Sequence, residues 1–340
     1  CLFALQTCVE LVEEHFKLIV VERFRFDLAH PLLLEHGDEP RERGEALQIG
    51  LVGIRLFREM DDAERAQRVE HLGFADGVKA HLLALLARGP ALVLGAGSNL
   101  LVRDAGVAGL TVLLGKDFAR IEIEGETIFA QAGARLSHLA QQAMRAGLAG
   151  LEFAAGIPGS VGGAVAMNAG AYGGQISDVL EEARVAMAGE IAILSRGAVN
   201  GKIVVFPREA MEFGYRTSLP LAQKLVVAGA RFRLHRDDPA AIAARMADFA
   251  QRRREKQPLS LPSAGSVFKR PEGHFAGALI EGAGLKGLRV GGAQVSEKHA
   301  GFIVNTGGAT AADVLALVET IRARVREKYG VELELEIRVV

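Results

Sequence analysis

Glycine is concentrated in one part of this chain, and that concentration constrains the fold more than any other feature. The chain has 340 residues and 40 glycines. The stretch Gly150–Gly174, here called the glycine-rich segment, carries glycine at 150, 156, 159, 162, 163, 170, 173 and 174. Apolar side chains recur among these glycines, at Ile157, Val161, Val165 and Met167. This regular spacing argues against a flexible linker. A backbone with so few bulky side chains lets a large ligand approach its N–H groups, so the segment predicts a binding surface.

A shorter glycine turn, Gly95–Asn99, follows an apolar run that is typical of a strand. A dinucleotide-binding fingerprint would need a third glycine where this chain has Leu100, and no capping residue opens a helix there. The sequence also lacks the G-x-x-x-x-G-K-[ST] motif of phosphate-loop enzymes. Two interpretations remain for the turn. It is either an ordinary connection between strands or a phosphate cradle of backbone N–H groups with the side chains of Ser98 and Asn99.

Composition excludes several classes of protein. Hydrophobic residues make up 49 % of the chain and charged residues 24 %, which is typical of a core-forming, soluble protein with two or three domains. The net charge of −1 gives no reason to expect nucleic acid or a membrane as partner. The two cysteines, Cys1 and Cys8, form no disulfide framework and indicate a cytoplasmic protein. No group of residues has the spacing of metal ligands, and no apolar run is long enough to span a membrane.

Short strands with interspersed helices predict an α+β fold. Helices are expected at Val9–Val20, at 61–89, at Leu136–Gly147, from Asp238 and Pro239 to just before Pro258, and after the capping pair Thr310 and Asp313. Strands are expected at 47–57, 91–94, 110–114, 120–125, 127–133, 181–188, 191–195, 202–206 and 224–234. The final element, Val331–Val339, alternates apolar and charged residues and predicts a half-buried strand.

Six motifs occur in the order in which one known family carries them. They are LVLGAGSNLLVRD (92–104), AGIPGSVGGAVAMNAGAYGGQISD (155–178), FGYRTS (213–218), SAGSVFKRP (263–271), AGLKGLRVGGAQVSEKHAGFIVN (283–305) and the ending YGVELELEIR. Over residues 45–340 the chain closely resembles the UDP-N-acetylenolpyruvoylglucosamine reductases, FAD-dependent enzymes of bacterial cell-wall (peptidoglycan) precursor synthesis. The resemblance is to the shorter form of the family, without the tyrosine-bearing loop.

The resemblance implies a fold of the vanillyl-alcohol-oxidase (PCMH) type, with two FAD-binding subdomains and a C-terminal α+β substrate domain. The subdomains would lie at 46–110 and 111–236 and the substrate domain at 237–328, with a terminal strand at 329–340 returning toward the active site. Residues 1–45 are interpreted as an N-terminal extension, of which 1–27 match nothing in the family and are taken as non-native. We expect a cytoplasmic monomer that acts on a small molecule.

The resemblance also implies the cofactor site, in which the glycine turn would cradle the FAD pyrophosphate and the glycine-rich segment would line the isoalloxazine. The cofactor-binding residues would be Gly95, Ala96, Gly97, Ser98, Asn99, Leu100, Gly156, Ile157, Pro158, Gly159, Ser160, Gly162, Gly163, Asn168, Gly170, Ala171 and Tyr172. NADPH would reduce FAD, and flavin N5 would then deliver hydride to C3 of the enolpyruvyl group, with a proton added at C2.

Three residues match the catalytic positions of the family. Arg216 would stabilise the developing enolate, Ser266 would donate the proton to C2, and Glu336 would act with the arginine. From the residues alone, each has an ordinary alternative: a surface ion pair for Arg216, a loop or capping role for Ser266, and a solvent-exposed position for Glu336.

The substrate and NADPH are both polyanions, so basic residues in the C-terminal motifs are candidates for binding the phosphates of the substrate or the phosphate of the nicotinamide cofactor. The predicted substrate-binding residues are Lys269, Lys298, His299 and Asn305. Asn305 has a second interpretation, as the cap of a turn. Arg270 receives no role, and His274 is interpreted as a surface histidine.

One departure from the family pattern keeps alternatives open. Where the family carries TT-x-x-[IV]-GG-x-A, part of its FAD site, this chain has EALQIGLVGIRLF (45–57). One alternative is therefore a degenerate homologue with weakened or lost FAD binding, and another is a related FAD oxidoreductase with a different substrate. A hydrolase that uses Ser266 is disfavoured because the sequence has no G-x-S-x-G motif.

Overall fold

The computed structural model describes residues 19–22, 46–48, 55–57, 91–187 and 202–340. Several predictions lie outside these residues and are not tested by them: the helix at 61–89, the strand at 191–195 and both cysteines. The helix predicted at Val9–Val20 lies mostly outside them too. Its last two residues, Ile19 and Val20, belong to a strand instead, so the prediction is wrong at those positions.

Twenty strands and six α-helices are described. The strands are β1 Ile19–Glu22, β2 Ala46–Gln48, β3 Arg55–Phe57, β4 Ala91–Leu94, β5 Leu100–Leu101, β6 Leu110–Leu113, β7 Ile121–Glu124, β8 Thr127–Gln131, β9 Leu148–Ala149, β10 Gly170–Ala171, β11 Gly174–Gln175, β12 Leu180–Met187, β13 Lys202–Pro207, β14 Val226–Arg233, β15 His235–Arg236, β16 Ser263–Ser266, β17 Arg289–Val290, β18 Ala293–Val295, β19 Phe302–Asn305 and β20 Arg338–Val339. The helices are α1 Leu136–Arg145, α2 Val161–Ala166, α3 Leu219–Ala222, α4 Pro239–Lys256, α5 Ala276–Gly282 and α6 Ala311–Tyr329.

Three sheets organise the molecule. The first has the strand order β2-β3-β1-β6-β4, the second, antiparallel, has the order β13-β12-β14-β8-β7, and the third has the order β16-β19-β18-β17. Strand β1 pairs with both β3 and β6, so part of the stretch interpreted as an N-terminal extension belongs to the first sheet. The two-stranded sheet of β20 and β5 joins the end of the chain to the glycine turn region.

The residues that predict helix starts and ends occupy those positions in the structure. Helix α1 buries Leu136, Leu139, Ala140 and Ala143 on one face, and Gly147 follows it with φ +67°. The Asp238 carboxylate accepts a hydrogen bond from Ala240 N at 3.2 Å at the start of α4. Thr310 and Asp313 form a capping box at the start of α6. These three helix predictions are confirmed.

Two hydrophobic cores lie on either side of the site described below. The first packs α1 and α2 against the second sheet, with Ile128 and Phe232 fully buried at its centre. The second packs α5 and α6 against the third sheet and includes Leu101 from β5. Helix α4 precedes the third sheet in the chain but packs on the first core through Met246.

The end of the chain, Val331–Val340, here called the terminal segment, is not the continuous strand that its alternation predicts. Only Arg338–Val339 form a strand, and Leu335 forms an isolated bridge with Phe268. The burial pattern still alternates, with Leu333 and Ile337 buried and Glu332 and Glu334 exposed. Alternation therefore identified the buried face, whereas strand pairing depends on neighbours that the local pattern does not contain.

Candidate active site

A cavity of about 700 Å³ lies between the two cores. Three stretches that are far apart in sequence line it: the glycine turn, the glycine-rich segment and residues from the C-terminal part of the chain, including Ser266 and Glu336. This volume falls within the range of about 300–1,000 Å³ that is usual for small-molecule sites.

The glycine turn presents its backbone to the cavity. Gly97 has φ +66°, a conformation that favours glycine. The side chains that the sequence offered for phosphate binding are engaged with protein: Ser98 Oγ donates to Pro158 O at 2.8 Å, and Asn99 Nδ2 donates to Glu336 O at 2.9 Å. The N–H groups of residues 96–99 have no hydrogen-bond partner among the described residues. The donors left for an anion are therefore the backbone N–H groups.

The glycine-rich segment is more regular than a loop. It contains a short 3₁₀-helix at Glu152–Ala154, then α2, then the β10–β11 hairpin. Ser160 caps α2, where its Oγ accepts from Gly163 N at 3.5 Å. Dense glycine thus accompanies close packing of backbone against backbone.

Glycine is required at two packing contacts, one between the glycine turn and the glycine-rich segment and one between that segment and the residues after β8. A Cβ on Gly95 would collide with Ser160 Oγ, and a Cβ on Gly162 would lie 2.7 Å from Ala132 Cβ. Gly163, in contrast, is exposed toward the cavity, and its Cβ would meet only Ser160 Oγ, at 3.6 Å. The first two glycines serve packing, and Gly163 leaves space in the cavity.

Arg216 and Glu336 form an ion pair at the cavity wall. Arg216 Nε donates to Glu336 Oε1 at 2.8 Å, and Arg216 Nη2 donates to Gly170 O at 3.1 Å. Both side chains are largely buried, 20 % and 15 % exposed. The ordinary alternative for Glu336, a solvent-exposed position on a polar strand face, is wrong, because its side chain is largely buried against Arg216.

The backbone of Arg216 is itself constrained. Its φ is +57°, which is uncommon for a residue with a side chain. It lies in a tight turn in which Gly214 N donates to Thr217 O at 3.1 Å. The side chain of Asn168 links this turn to Ser177. Its Nδ2 donates to Gly214 O at 3.1 Å, and its Oδ1 accepts from Ser177 N at 2.9 Å. Such strain is characteristic of functional sites when the surroundings hold it in place.

Ser266 ends strand β16 and borders the same cavity. Its hydroxyl has no hydrogen-bond partner within the described ranges of the chain. The structure therefore brings Arg216, Ser266 and Glu336 to one cavity, although they come from three separate parts of the sequence.

Most of the predicted cofactor residues also line this cavity. They are Gly95, Ala96, Gly97, Ser98, Asn99, Leu100, Ile157, Pro158, Gly159, Ser160, Gly162, Gly163, Gly170 and Ala171. Gly156, Asn168 and Tyr172 do not line it. Asn168 is buried beneath the Arg216 turn, and the Tyr172 ring stacks on Phe249 with centroids 4.6 Å apart.

The four predicted substrate-binding residues lie outside the cavity lining. Lys269 pairs with Glu334 at 3.1 Å, and Lys298 Nζ donates to Arg254 O at 2.5 Å. His299 Nδ1 accepts from Gly301 N at 3.1 Å, and burial lowers the pKa of this histidine. Asn305 Oδ1 accepts from Gly307 N and Ala309 N, which supports its interpretation as the cap of a turn.

Sequence reasoning missed four polar residues of the lining: Lys224, Arg253, Gln257 and Arg338. Arg253 belongs to the run RRREK, which is typical of a solvated helix end, and Arg338 lies on the charged face of the terminal segment. No local signal separates these residues from ordinary surface charges.

The residues present fit FAD. The unpaired N–H groups of the glycine turn suit a pyrophosphate, and the space beside Gly163 is one that a side chain would fill. A family model described as an FAD binding domain matches residues 76–193. A second, for the C-terminal domain of UDP-N-acetylenolpyruvoylglucosamine reductase, matches residues 257–340.

Curated relatives agree with these models. The UDP-N-acetylenolpyruvoylglucosamine reductase of Syntrophomonas wolfei is 51 % identical over 251 residues, which are 74 % of this chain and 80 % of the relative. That of Clostridium botulinum is 48 % identical over 74 % of this chain and 78 % of the relative. The chain belongs to the UDP-N-acetylenolpyruvoylglucosamine reductase family.

A solved structure supports the fold of the reductase family for this chain. The UDP-N-acetylenolpyruvylglucosamine reductase of Thermus caldophilus is 41 % identical and superposes with a TM-score of 0.64 over 77 % of this chain and 89 % of that one. The predicted α+β fold, with an FAD-binding part and a C-terminal reductase domain, is thereby confirmed. Among the described helices, none has the length and apolar character needed to cross a bilayer.

Proposed function

We propose that this chain reduces UDP-N-acetylglucosamine enolpyruvate to UDP-N-acetylmuramate, with NADPH as reductant and FAD as cofactor, in cytoplasmic synthesis of the peptidoglycan precursor. It acts as a monomer on this small-molecule substrate. The observation that carries the proposal is the Arg216–Glu336 ion pair, which borders the same cavity as Ser266 and the glycine turn. Membership of the reductase family supports it.

The chain contributes a cofactor cradle made of backbone. The N–H groups of the glycine turn would bind the FAD pyrophosphate, and Gly159 and Gly163 would leave room for the rest of the cofactor. When bound, FAD supplies the relay that carries hydride from NADPH to the enolpyruvyl group.

Arg216 stabilises negative charge as it develops on the substrate. Two of its N–H groups are fixed by Glu336 and Gly170, and the others remain for the carboxylate or enolate oxygen of the substrate. A guanidinium that is already positioned needs little reorganisation during the reaction, so its stabilising effect is large. Glu336 holds this orientation through its hydrogen bond from Arg216 Nε.

Ser266 donates the proton to C2. A free hydroxyl is a weak acid, so the serine needs a group that replaces its proton. Its hydroxyl is free of protein partners among the described residues, which leaves it available to substrate and to ordered water.

The test is the anaerobic visible spectrum of the purified protein. The flavin band should be present, should bleach with NADPH and should return when UDP-N-acetylglucosamine enolpyruvate is added. Ser266→Ala should leave bleaching unchanged and slow the return of colour about 10²- to 10⁴-fold, the usual range for loss of a general acid.

The alternatives give different spectra. A colourless protein that FAD does not reconstitute would support the degenerate homologue and would contradict the proposal. Bleaching by NADPH with no return of colour on addition of the enolpyruvyl sugar would support a related oxidoreductase with another substrate.

A further inference from the structure

The turn that carries Arg216 has a backbone conformation that is usual for glycine. It comprises Gly214–Thr217, here called the Arg216 turn, and is closed by hydrogen bonds from Gly214 N to Thr217 O at 3.1 Å and from Thr217 N to Gly214 O at 3.4 Å. Arg216 is its third residue and has φ +57°. Glycine or asparagine is the usual residue where the third residue of a tight turn has positive φ. An arginine persists there only when contacts from the surrounding structure hold the turn in place.

Two buried side chains attach the ends of the Arg216 turn to α2. Asn168 Nδ2 donates to Gly214 O at 3.1 Å, at the start of the turn. Ser218 follows the turn directly, and its Oγ donates to Ala166 O at 2.7 Å. Asn168 is 2 % exposed and Ser218 is 1 % exposed. Breaking either bond would leave a buried polar group unsatisfied, so these contacts define the position of the turn.

The amide of Asn168 is occupied by protein at both of its ends. Its Oδ1 accepts from Ser177 N at 2.9 Å, and its side chain does not line the cavity. The residue itself has φ +43°, which asparagine tolerates better than most residues. The resemblance implies that Asn168 binds FAD, whereas in the structure its amide faces the Arg216 turn.

The same stretch of backbone also holds the guanidinium. Gly170 lies two residues after Asn168, and its carbonyl oxygen accepts from Arg216 Nη2 at 3.1 Å. Contacts at residues 166, 168 and 170 therefore fix both the turn and the side chain that it carries.

We propose that Asn168 and Ser218 are positioning residues, which hold the Arg216 turn in its strained conformation and thereby keep the guanidinium aligned with the substrate. A misplacement of about 1 Å at a reacting group can lower the rate about a hundredfold. The assignment rests on the proposed function, because that function makes Arg216 the group that stabilises charge on the substrate.

The experiment follows the flavin absorbance of the FAD-loaded protein by anaerobic stopped flow. Asn168→Gly removes the amide and leaves a residue that adopts positive φ without strain. Bleaching by NADPH should stay within about twofold of the wild-type rate, whereas the return of colour with the enolpyruvyl sugar should slow about tenfold to a hundredfold. Ser218→Ala removes the other attachment and should slow the same step. Because the two variants break different contacts, the second tests the proposal even where the first does not fold.

Gln175→Ala is the matched control. Asn168 Nδ2 also donates to Gln175 Oε1, at 3.4 Å, and the side chain of Gln175 does not line the cavity. This substitution removes that bond and leaves the bond to Gly214 in place. The return of colour should therefore stay within about twofold of the wild-type rate. Thermal unfolding of each variant checks that the fold is retained.

A double-mutant cycle separates positioning from a general loss of structure. Arg216→Gly removes the guanidinium at a φ that suits glycine. In that background, Asn168→Gly should slow the return of colour by less than about twofold more, because no guanidinium is left to align. A residue that only maintains the fold would lower the rate by the same factor in both backgrounds.

Other outcomes overturn the proposal. If Asn168→Gly weakens FAD binding while the loaded protein regains colour at the wild-type rate, Asn168 serves the cofactor. Additive losses in the cycle would make its role structural. A wild-type protein that fails to regain colour with the enolpyruvyl sugar contradicts the proposed function, whereas a working wild type with unaffected Asn168→Gly and Ser218→Ala variants contradicts only the positioning role.

Discussion

The glycine-rich segment and the terminal segment line the same cavity but are held in place by different forces. The first is a densely packed wall in which backbone lies against backbone, and it supplies shape. The second is held by hydrogen bonds, charged pairs and the burial of Leu333 and Ile337 in the second core, and it supplies a carboxylate. Shape and charge in this site are therefore separable, and substitutions can test one without the other.

Steric fit fixes the glycine-rich segment. Val161 N and Gly162 N donate to Ala134 O and Ala132 O, both at 2.8 Å, and this contact fastens α2 to the end of β8. Gly162 is buried there with no space for a side chain. Such a wall tolerates almost no added volume, because protein interiors are close-packed.

Hydrogen bonds to both sides of the cavity fix the terminal segment. Glu336 N donates to Val267 O at 2.8 Å in the C-terminal domain, and Arg338 N donates to Asn99 O at 2.9 Å in the glycine turn. The segment therefore connects the C-terminal domain to the glycine turn and places the Glu336 carboxylate at the cavity.

The largest effect is expected from removing charge in the terminal segment. Glu336→Ala should lower turnover about 10²- to 10⁴-fold, because it removes the group that orients Arg216 and acts with it. Flavin reduction by NADPH should stay near the wild-type rate. Stopped-flow absorbance at the flavin band separates the two steps.

Glu334→Ala is the matched control for that substitution. Glu334 lies two residues away, with its side chain 75 % exposed and paired with Lys269. Its loss should change turnover less than about twofold. Equal losses in the two variants would show that the effect arises from disturbing the terminal segment and not from the Glu336 carboxylate.

The contrast between the segments also shows what the sequence can predict. Helix caps are local, so Asp238, Thr310 and Gly330 marked helix ends correctly. The terminal segment was predicted as a strand because its alternation is local too, but pairing with Val267 and Asn99 depends on residues far away in sequence. Local pattern predicts which face is buried, and tertiary contacts decide what pairs with it.

The site follows the same division. The resemblance assigned Arg216, Ser266 and Glu336 to one site, and all three line one cavity, since motif order carries information about distant contacts. Residue chemistry alone does not predict this site. From the local sequence, Glu336 is typical of a surface glutamate and Arg253 is typical of a member of a charged run. Their burial is a property of the packed molecule that no single stretch encodes.

The next largest effect is expected from adding a side chain to the closely packed glycine-rich segment. Gly162→Ala should destabilise the apoprotein by about 1–3 kcal/mol, because its Cβ would lie 2.7 Å from Ala132 Cβ. Urea unfolding with the midpoint and slope recorded measures this. FAD affinity should fall as a consequence of the lost wall geometry.

Gly163→Ala is the neighbouring substitution in the same helix and should differ from Gly162→Ala in its effect on stability. Stability should stay within about 0.5 kcal/mol or rise, since alanine favours helix over glycine. FAD affinity should still fall, because the new methyl group points into the cavity. Loss of stability in both variants would mean that α2 as a whole resists substitution and that Gly163 has no particular link to the cofactor.

A smaller effect is expected from the one buried charge of the glycine-rich segment. Burial acts to raise the pKa of Glu152, but hydrogen bonds from Arg245 and from backbone N–H groups outweigh it and hold the pKa below 4.5. Glu152→Gln should cost about 1 kcal/mol, since Arg245 is partly exposed and solvent weakens the pair.

The pH dependence of stability tests whether the ionised form of Glu152 stabilises the fold. A carboxyl whose pKa is lowered on folding contributes stability that is fully present above its unfolded value of 4.5 and disappears as the pH falls through the folded value. The difference between wild type and Glu152→Gln should be constant near neutral pH and shrink in acid. A difference that grows in acid would contradict the role of the ionised carboxylate.

The smallest effect is expected at Lys269, for which the resemblance and the structure give different partners. The resemblance implies that Lys269 binds substrate phosphate, whereas the structure pairs it with Glu334 at 3.1 Å, outside the cavity lining. An exposed pair of this kind contributes about 0.2–1 kcal/mol. Lys269→Ala should therefore lower stability by no more than that, and the KM for the enolpyruvyl sugar should change less than about twofold. A tenfold rise in that KM with stability unchanged would place Lys269 on the substrate and would mean that the terminal segment releases it when substrate binds.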